Sequence, residues 1–417
     1  MASDAIDLST AVRYFQETEA ICKRDNGALW GVQLWGPLLF IDAKSRQAVA
    51  NQPDVEGRLT EAGELYAGEF PNELNIANGV TDWAGVKWTT LTWPLPEDPF
   101  ERKSLMVHEL WHRIQDSIAF PASNPSNDHL DTVEGRYWLQ LEWRALREAL
   151  MLGAAERLQA VRDALCFRGV RRSLFAGAAD EERALEMHEG LAQYTGVRLG
   201  SDSLRDAAAH ASGILCGAPK NPTFVRSFAY ASGPAYGLLL DASGAVWRSG
   251  LKPTNDLGIL LQAAHSTSVP QGIASYARKR AKAYDGDSLL ATETERQQNR
   301  QKQTAEYRAR LVDGPVFILP NHKMSIQFDP RNLFPLGEHG TVYPTVRVTD
   351  VWGVLVASCG ALVSRDWKDV RVAAPTEPGA HPLRGDGWTL ELNEGWQLVV
   401  AKRAGDYTAR MTAQEHK

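Results

Sequence analysis

Hydrophobic positions along the chain change period twice, from a helix to strands and back to helices, before a last strand-rich stretch. Residues 8–24 (LSTAVRYFQETEAICKR) place their apolar side chains at helical spacing. Residues 36–42, 47–51 and 64–70 are short, apolar or alternating, and are separated by Pro, Gly and Asp, which predicts strands of one sheet. A longer stretch, 76–95, ends in the β-branched and aromatic run 86–93 and is stopped by Pro94 and Pro96. The helical period then returns. It predicts helices over 100–120, from Asp131-Thr132 to about Met151, over 154–166 and over 180–199, with acidic residues opening the last and Gly200 closing it. Residues 225–285 read as mainly helical, and 293–311 as a charged, solvated helix packed along one stripe. Beyond Asp313-Gly314-Pro315, alternating runs at 345–351, 353–363, 370–373 and 388–392 predict a small all-β domain.

At 417 residues the chain is too long for one ordinary core. Three parts are expected: a β-rich part over 1–120, a mainly helical part over 121–312 and an all-β part over 313–417. The fold class is α+β. Composition, 44% hydrophobic and 23% charged, is that of a soluble globular protein, and a net charge of −6 argues against nucleic acid as a partner. Cys22, Cys166, Cys216 and Cys359 form no CxxC pair, so cysteine-bound zinc and thioredoxin-like redox chemistry are set aside and buried thiols are expected. No stretch reaches the roughly 20 apolar residues of a bilayer span, and residues 1–12 lack the pattern of a signal peptide. The expected address is cytoplasmic, or that of a secreted or periplasmic mature chain without its leader. Oligomeric state is not written in the sequence.

The chemistry centres on His108-Glu109-Leu110-Trp111-His112. Two histidines four apart in a helix leave the same face one turn apart, as two ligands of one tetrahedral ion require. Glu109 lies about 100° round the helix, from where its carboxylate reaches a water polarised by Zn2+ without displacing it. A general base so placed takes a proton during attack and returns it to the leaving amine. A third ligand is needed, and the acidic residues further along the chain offer Glu134, Glu142 and Glu189. Glu134 also suits a helix N-terminus, and Glu142 an ion pair with Arg144 or Arg147.

Residues 188–196 read HEGLAQYTG, and with the HExxH motif the chain resembles the gluzincins, distantly the aminopeptidase N-like family. That resemblance implies a zincin-like N-terminal sheet with an active-site helix, a zinc ion held by His108, His112 and Glu189, and metallopeptidase activity. Gly190 and Ala192 correspond to the small residues beside the family's ligand. Residues 228–236 (FAYASGPAY) resemble the downstream segment whose tyrosine stabilises an oxyanion, which points to Tyr230, ahead of Tyr236 and Tyr194. His188 and Glu186 flank the ligand; orientation of the metal site is open to either, with helix-surface roles as the default. The chain departs from the family in two respects. Two helices, rather than about one, separate His112 from Glu189, which keeps Glu142 as a second choice and Glu134 as a third. The Gly-x-Met-Glu-Asn strand that grips a free amino terminus is absent, and the element in its place, 83–93, has no Glu. The resemblance spans residues 80–240.

A zinc metallopeptidase acting on peptide or protein is therefore expected. Two alternatives stand beside it: a zinc hydrolase of a small amide, ester or epoxide, and a non-catalytic zincin-fold binding protein, which the intact Glu109 disfavours.

Overall fold

The computed structural model describes residues 6–328 and 333–412. It divides into two compact units, residues 1–293 and 294–417. The sheet and the helices that were expected as separate parts share one core in the first unit, running from Phe15 and Phe40 through Trp111, Trp143 and Phe167 to Phe228. The boundary with the second unit falls inside the charged helix Gly286–Arg308 rather than at residue 313.

The first unit opens with α1 (Leu8–Asp25), capped by the Asp7 side chain and ended by Asn26 in left-handed backbone. Six strands come next: β1 (Leu38–Asp42), β2 (Gln47–Ala50), β3 (Thr60–Ala62), β4 (Leu65–Glu69), β5 (Gly79–Trp83) and β6 (Val86–Trp93). They form one sheet in the order β3-β4-β2-β1-β6-β5, with β1 and β6 parallel and all other pairs antiparallel. The central strand β1 is buried throughout, because its alternate side chains serve two clusters. Leu38 and Phe40 face the helices, with Phe15 stacked on Phe40 at 4.2 Å, while Leu39 and Ile41 meet Leu59, Phe70 and Trp88. The stretch 76–95 is not one strand but a hairpin. Ala84 and Gly85 both take positive φ (50° and 76°), the two-residue turn that suits the twist of paired strands. Strand β5 is therefore one edge of the sheet, with β3 the other.

Helices complete the unit: α2 (Pro99–Ile114), α3 (Val133–Met151), α4 (Ala154–Leu174), α5 (Ala178–Leu185), α6 (Leu191–Gly200), α7 (Leu204–Gly217) and α8 (Ser227–Ala242), with further helices over Leu257–Ala264 and Ile273–Ala281. Thr132 caps α3 through the Gly135 amide, as its position predicts. Helix α4 continues to Leu174, well past the expected end at 166, and α7 was not expected at all. The helix expected over 180–199 is interrupted: a π-helical turn, Glu186–Gly190, joins α5 to α6. Of the four free cysteines, Cys22 and Cys166 are buried as expected, whereas Cys216 and Cys359 are exposed.

In the second unit the described residues form a seven-stranded and a five-stranded sheet. Strands such as Val346–Asp350 alternate buried and exposed positions, and inward residues of both sheets meet around Phe317, Trp352, Leu355 and Trp388. The class is α+β, with a helical middle and a strand-rich C-terminal region, as the sequence predicts. Among the described residues, no helix is long and apolar enough to cross a membrane.

Candidate metal centre

Asp98 caps α2 and Pro99 stands at its first position, which fixes where the helix starts and hence which residues it buries. Met106, Val107, Leu110, Trp111 and Ile114 fill the core, and this leaves His108, Glu109 and His112 along one rim. The two Nε2 atoms stand 3.0 Å apart. Each ring's Nδ1 faces an amide oxygen at 2.9 Å, Gln193 Oε1 for His108 and Gln115 Oε1 for His112. An amide oxygen only accepts, so each Nδ1 carries a proton and Nε2 is the ring atom turned inward, with a lone pair to offer when the ring is neutral. Glu189 Oε2 lies 3.4 Å from both Nε2 atoms, and among the described residues no donor bonds it although it is buried. Two Nε2 atoms and a carboxylate oxygen converging in this way repel one another unless a metal cation or a proton sits among them. Ligands about 2.0–2.1 Å from a tetrahedral zinc stand about 3.3 Å from each other, so the spacings of 3.0, 3.4 and 3.4 Å and the N, N, O donor set fit that ion.

Glu189 arrives there through close helix contacts. One extra residue in the π-turn rotates α6 by about 100° relative to an uninterrupted helix, so Glu189 and the core-facing Leu191 are both accommodated. Glycines then let backbones touch. A Cβ on Gly196 would stand 2.4 Å from the Ser104 carbonyl of α2, and one on Gly233 of α8 would stand 2.3 Å from the Gly190 carbonyl. Pro234, inside α8, lacks the N–H that the Tyr230 carbonyl would otherwise accept.

A cleft of about 460 Å³ opens over the three residues. Its walls are β5 (Gly79, Val80, Asp82), the rim of α2, and Arg226 with Tyr230. Burial pushes the Glu109 carboxyl above the usual carboxylate range, against the pull of His108 and His112. Without a bound cation a proton takes its place: burial opposes charge on Glu189 as well, yet hydrogen bonding with protonated His108 and His112 and with Tyr230 prevails and holds its carboxyl far below that range. His112 is held high by Glu189 and Glu109 in spite of burial. His188, half-buried beside His112, is pushed down to about 4 by that burial and lends its Nδ1 to Gln115 Oε1 at 3.1 Å. The Tyr230 ring stacks on His108, 5.5 Å between centroids and 8° from parallel; burial and the neighbouring Glu189 carboxylate raise its hydroxyl.

The structure thus brings together His108, Glu109, His112, Glu189 and Tyr230, and leaves the alternatives elsewhere. Glu134 is exposed on the first turn of α3. Glu142 is fully buried, paired with Arg168 and Arg171 rather than with Arg144 or Arg147, and it accepts the Tyr236 hydroxyl at 2.7 Å. Tyr194 donates to Asp241. Glu186, expected on a helix surface, is fully buried against Arg168.

Three participants escaped the sequence reading. Gln115 was findable, since it lies three residues after His112 on the same helical face. Gln193 and Arg226, whose guanidinium pairs with Glu189 Oε1 and bonds Asn124, reach the site only through tertiary placement. No family model, curated protein or solved structure matches the chain.

Proposed function

We propose that the chain is a zinc-dependent hydrolase that cleaves peptides, with His108, His112 and Glu189 as metal ligands and Glu109 as general base. The observation that carries this reading is the convergence of three inward lone-pair donors at tetrahedral spacing, each imidazole fixed by an amide on its far side. Zinc, when bound, lowers the pKa of water and polarises a carbonyl. The chain's own residues do the rest. Glu109, raised by burial, is a stronger base than an exposed carboxylate and sits where it accepts the proton of an attacking water. Tyr230, which lines the same cleft and stacks on His108, keeps its proton and donates to the oxygen on which negative charge develops.

Strand β5 supports a peptide over a small amide. Among the described residues it pairs only with β6, so its outer edge lines the cleft as a strand that an extended chain could pair with. The test is zinc-loaded protein on a degenerate peptide library, read by mass spectrometry, beside Glu109→Gln at equal metal content. The wild type should cleave, and the variant should retain zinc and lose at least about a hundredfold in turnover. Equal cleavage by both would remove Glu109, and a wild type that holds zinc and cleaves nothing would remove the peptidase reading.

A further inference from the structure

The π-turn that carries Glu189 begins at Glu186, and Glu186 belongs to a lattice of charges sealed inside the first unit. Arg168, Arg171 and Arg172, within little more than one turn of α4, meet Glu142 from α3, Glu182 and Glu186 from the turn's own segment, and Asp256 from the cap of the helix Leu257–Ala264. Arg168 grips Glu186 with both arms, Nη1 to Oε1 at 2.7 Å and Nη2 to Oε2. Arg171 grips Glu182 in the same forked manner, with two bonds of 2.8 Å. Arg172 adds a bond to Glu182 at 2.7 Å and one to Asp256 at 2.6 Å, and His129 reaches Glu182 at 2.9 Å. Glu142, Glu182, Glu186 and Arg171 are wholly buried.

Such a lattice is a costly way to hold a fold, since apolar side chains of the same volume stabilise as well or better. Its use is geometric. Forked arginine–carboxylate pairs fix orientation as well as distance. Here two of them clamp the residues one turn apart, 182 and 186, that lead into the π-turn. Beyond the turn, the Gly190–Gly233 backbone contact fixes the other end. Glu189 lies between these two anchors and touches neither arginine.

We infer that Arg168 and Arg171 are positioning residues for the metal ligand Glu189, acting through Glu186 and Glu182. The helices α3 and α4, which lengthen the chain between His112 and Glu189, supply this clamp. The inference rests on the metal-site reading, and a double-mutant cycle on metal affinity separates the two. Zinc dissociation constants, measured by competition with a chromophoric chelator, are compared for the full-length wild type, Arg168→Lys, Glu189→Ala and the double variant, all shown folded by circular dichroism. Lysine keeps the charge and loses the fork. Arg168→Lys should weaken zinc by about tenfold in the wild type and leave affinity unchanged in the Glu189→Ala background. The cobalt-loaded variant should also show altered d–d bands. Equal weakening in both backgrounds, or none in either, overturns the positioning role. If Glu189→Ala itself leaves zinc affinity unchanged, the metal-site reading fails and the positioning role with it. Should Arg168→Lys not fold, Arg171→Lys, which loses the fork to Glu182, carries the same cycle with the same outcomes.

Discussion

Gly233→Ala adds one methyl group where the structure leaves no room for it. The new Cβ would lie 2.3 Å from the Gly190 carbonyl oxygen, 2.4 Å from its Cα and 2.5 Å from its carbonyl carbon, all backbone atoms that no rotamer change moves aside. Ordinary contact begins at 3.4 Å, so α8 and the π-turn must part by about 1 Å. Metal sites tolerate ligand errors of about 0.2 Å, and Glu189 is the residue next to Gly190. Overpacking of this kind costs about 1–3 kcal/mol, and displacing a ligand's support weakens metal by about 10–100-fold. Gly213→Ala is the matched control. It is a helical glycine of α7 whose Cβ would meet nothing within 4 Å, and there alanine should stabilise by up to about 1 kcal/mol. Urea unfolding of the metal-free proteins and chelator competition for zinc give the two readouts. If Gly233→Ala matches Gly213→Ala in both, the close approach is not what holds Glu189 in place.

Tyr230→Phe keeps the ring that stacks on His108 and removes the hydroxyl. Turnover should fall by about 10²–10³ with zinc content unchanged, and undiminished turnover would exclude Tyr230 as an oxyanion donor. Acid should loosen the arginine lattice in a defined window. Glu182, despite burial, is held well below its usual range by Arg171, and Asp256, despite burial, by Arg168 and Arg172. Both carboxyls lose their protons more readily in the folded chain than in the unfolded one. They therefore stabilise the fold above about pH 4.5, and that contribution is lost as pH falls toward their depressed values. The urea midpoint should drop below about pH 4.5 in the wild type and drop less in Glu182→Gln. Parallel profiles would show that Glu182 carries no such linkage.

Much of the site could be read from sequence where its parts are local. His108 and His112 share a face because four residues make one turn, whatever surrounds them. Glu189 was found by its local neighbours, but the π-turn that aims it was not. A hydrogen bond from residue i+5 has no residue signature, and Glu186–Gly190 scores as ordinary helix. The hairpin over 79–93 was missed for a comparable reason. Ala84-Gly85 sits inside an apolar run, and without Asn or Asp at the first turn position the stretch 76–95 carries no hairpin signal. The end of α4 was missed because Arg168, Arg171 and Arg172 look like a solvated face. Periodicity cannot distinguish charge that faces water from charge sealed against Glu142, Glu182 and Glu186. The same blindness made Glu142 a plausible ligand: its partners lie 26 and 29 residues away on another helix.

The claim beneath all of this is that two imidazoles and one carboxylate enclose a single divalent ion. X-ray absorption at the zinc edge, on protein loaded to one equivalent, tests it most directly. The expected shell has two imidazole nitrogens at about 2.0–2.1 Å and low-Z oxygen at about 2.0–2.2 Å, with one imidazole lost in His112→Ala. A sulfur shell at about 2.3 Å, or a spectrum that His112→Ala and Glu189→Ala leave unchanged, would contradict it.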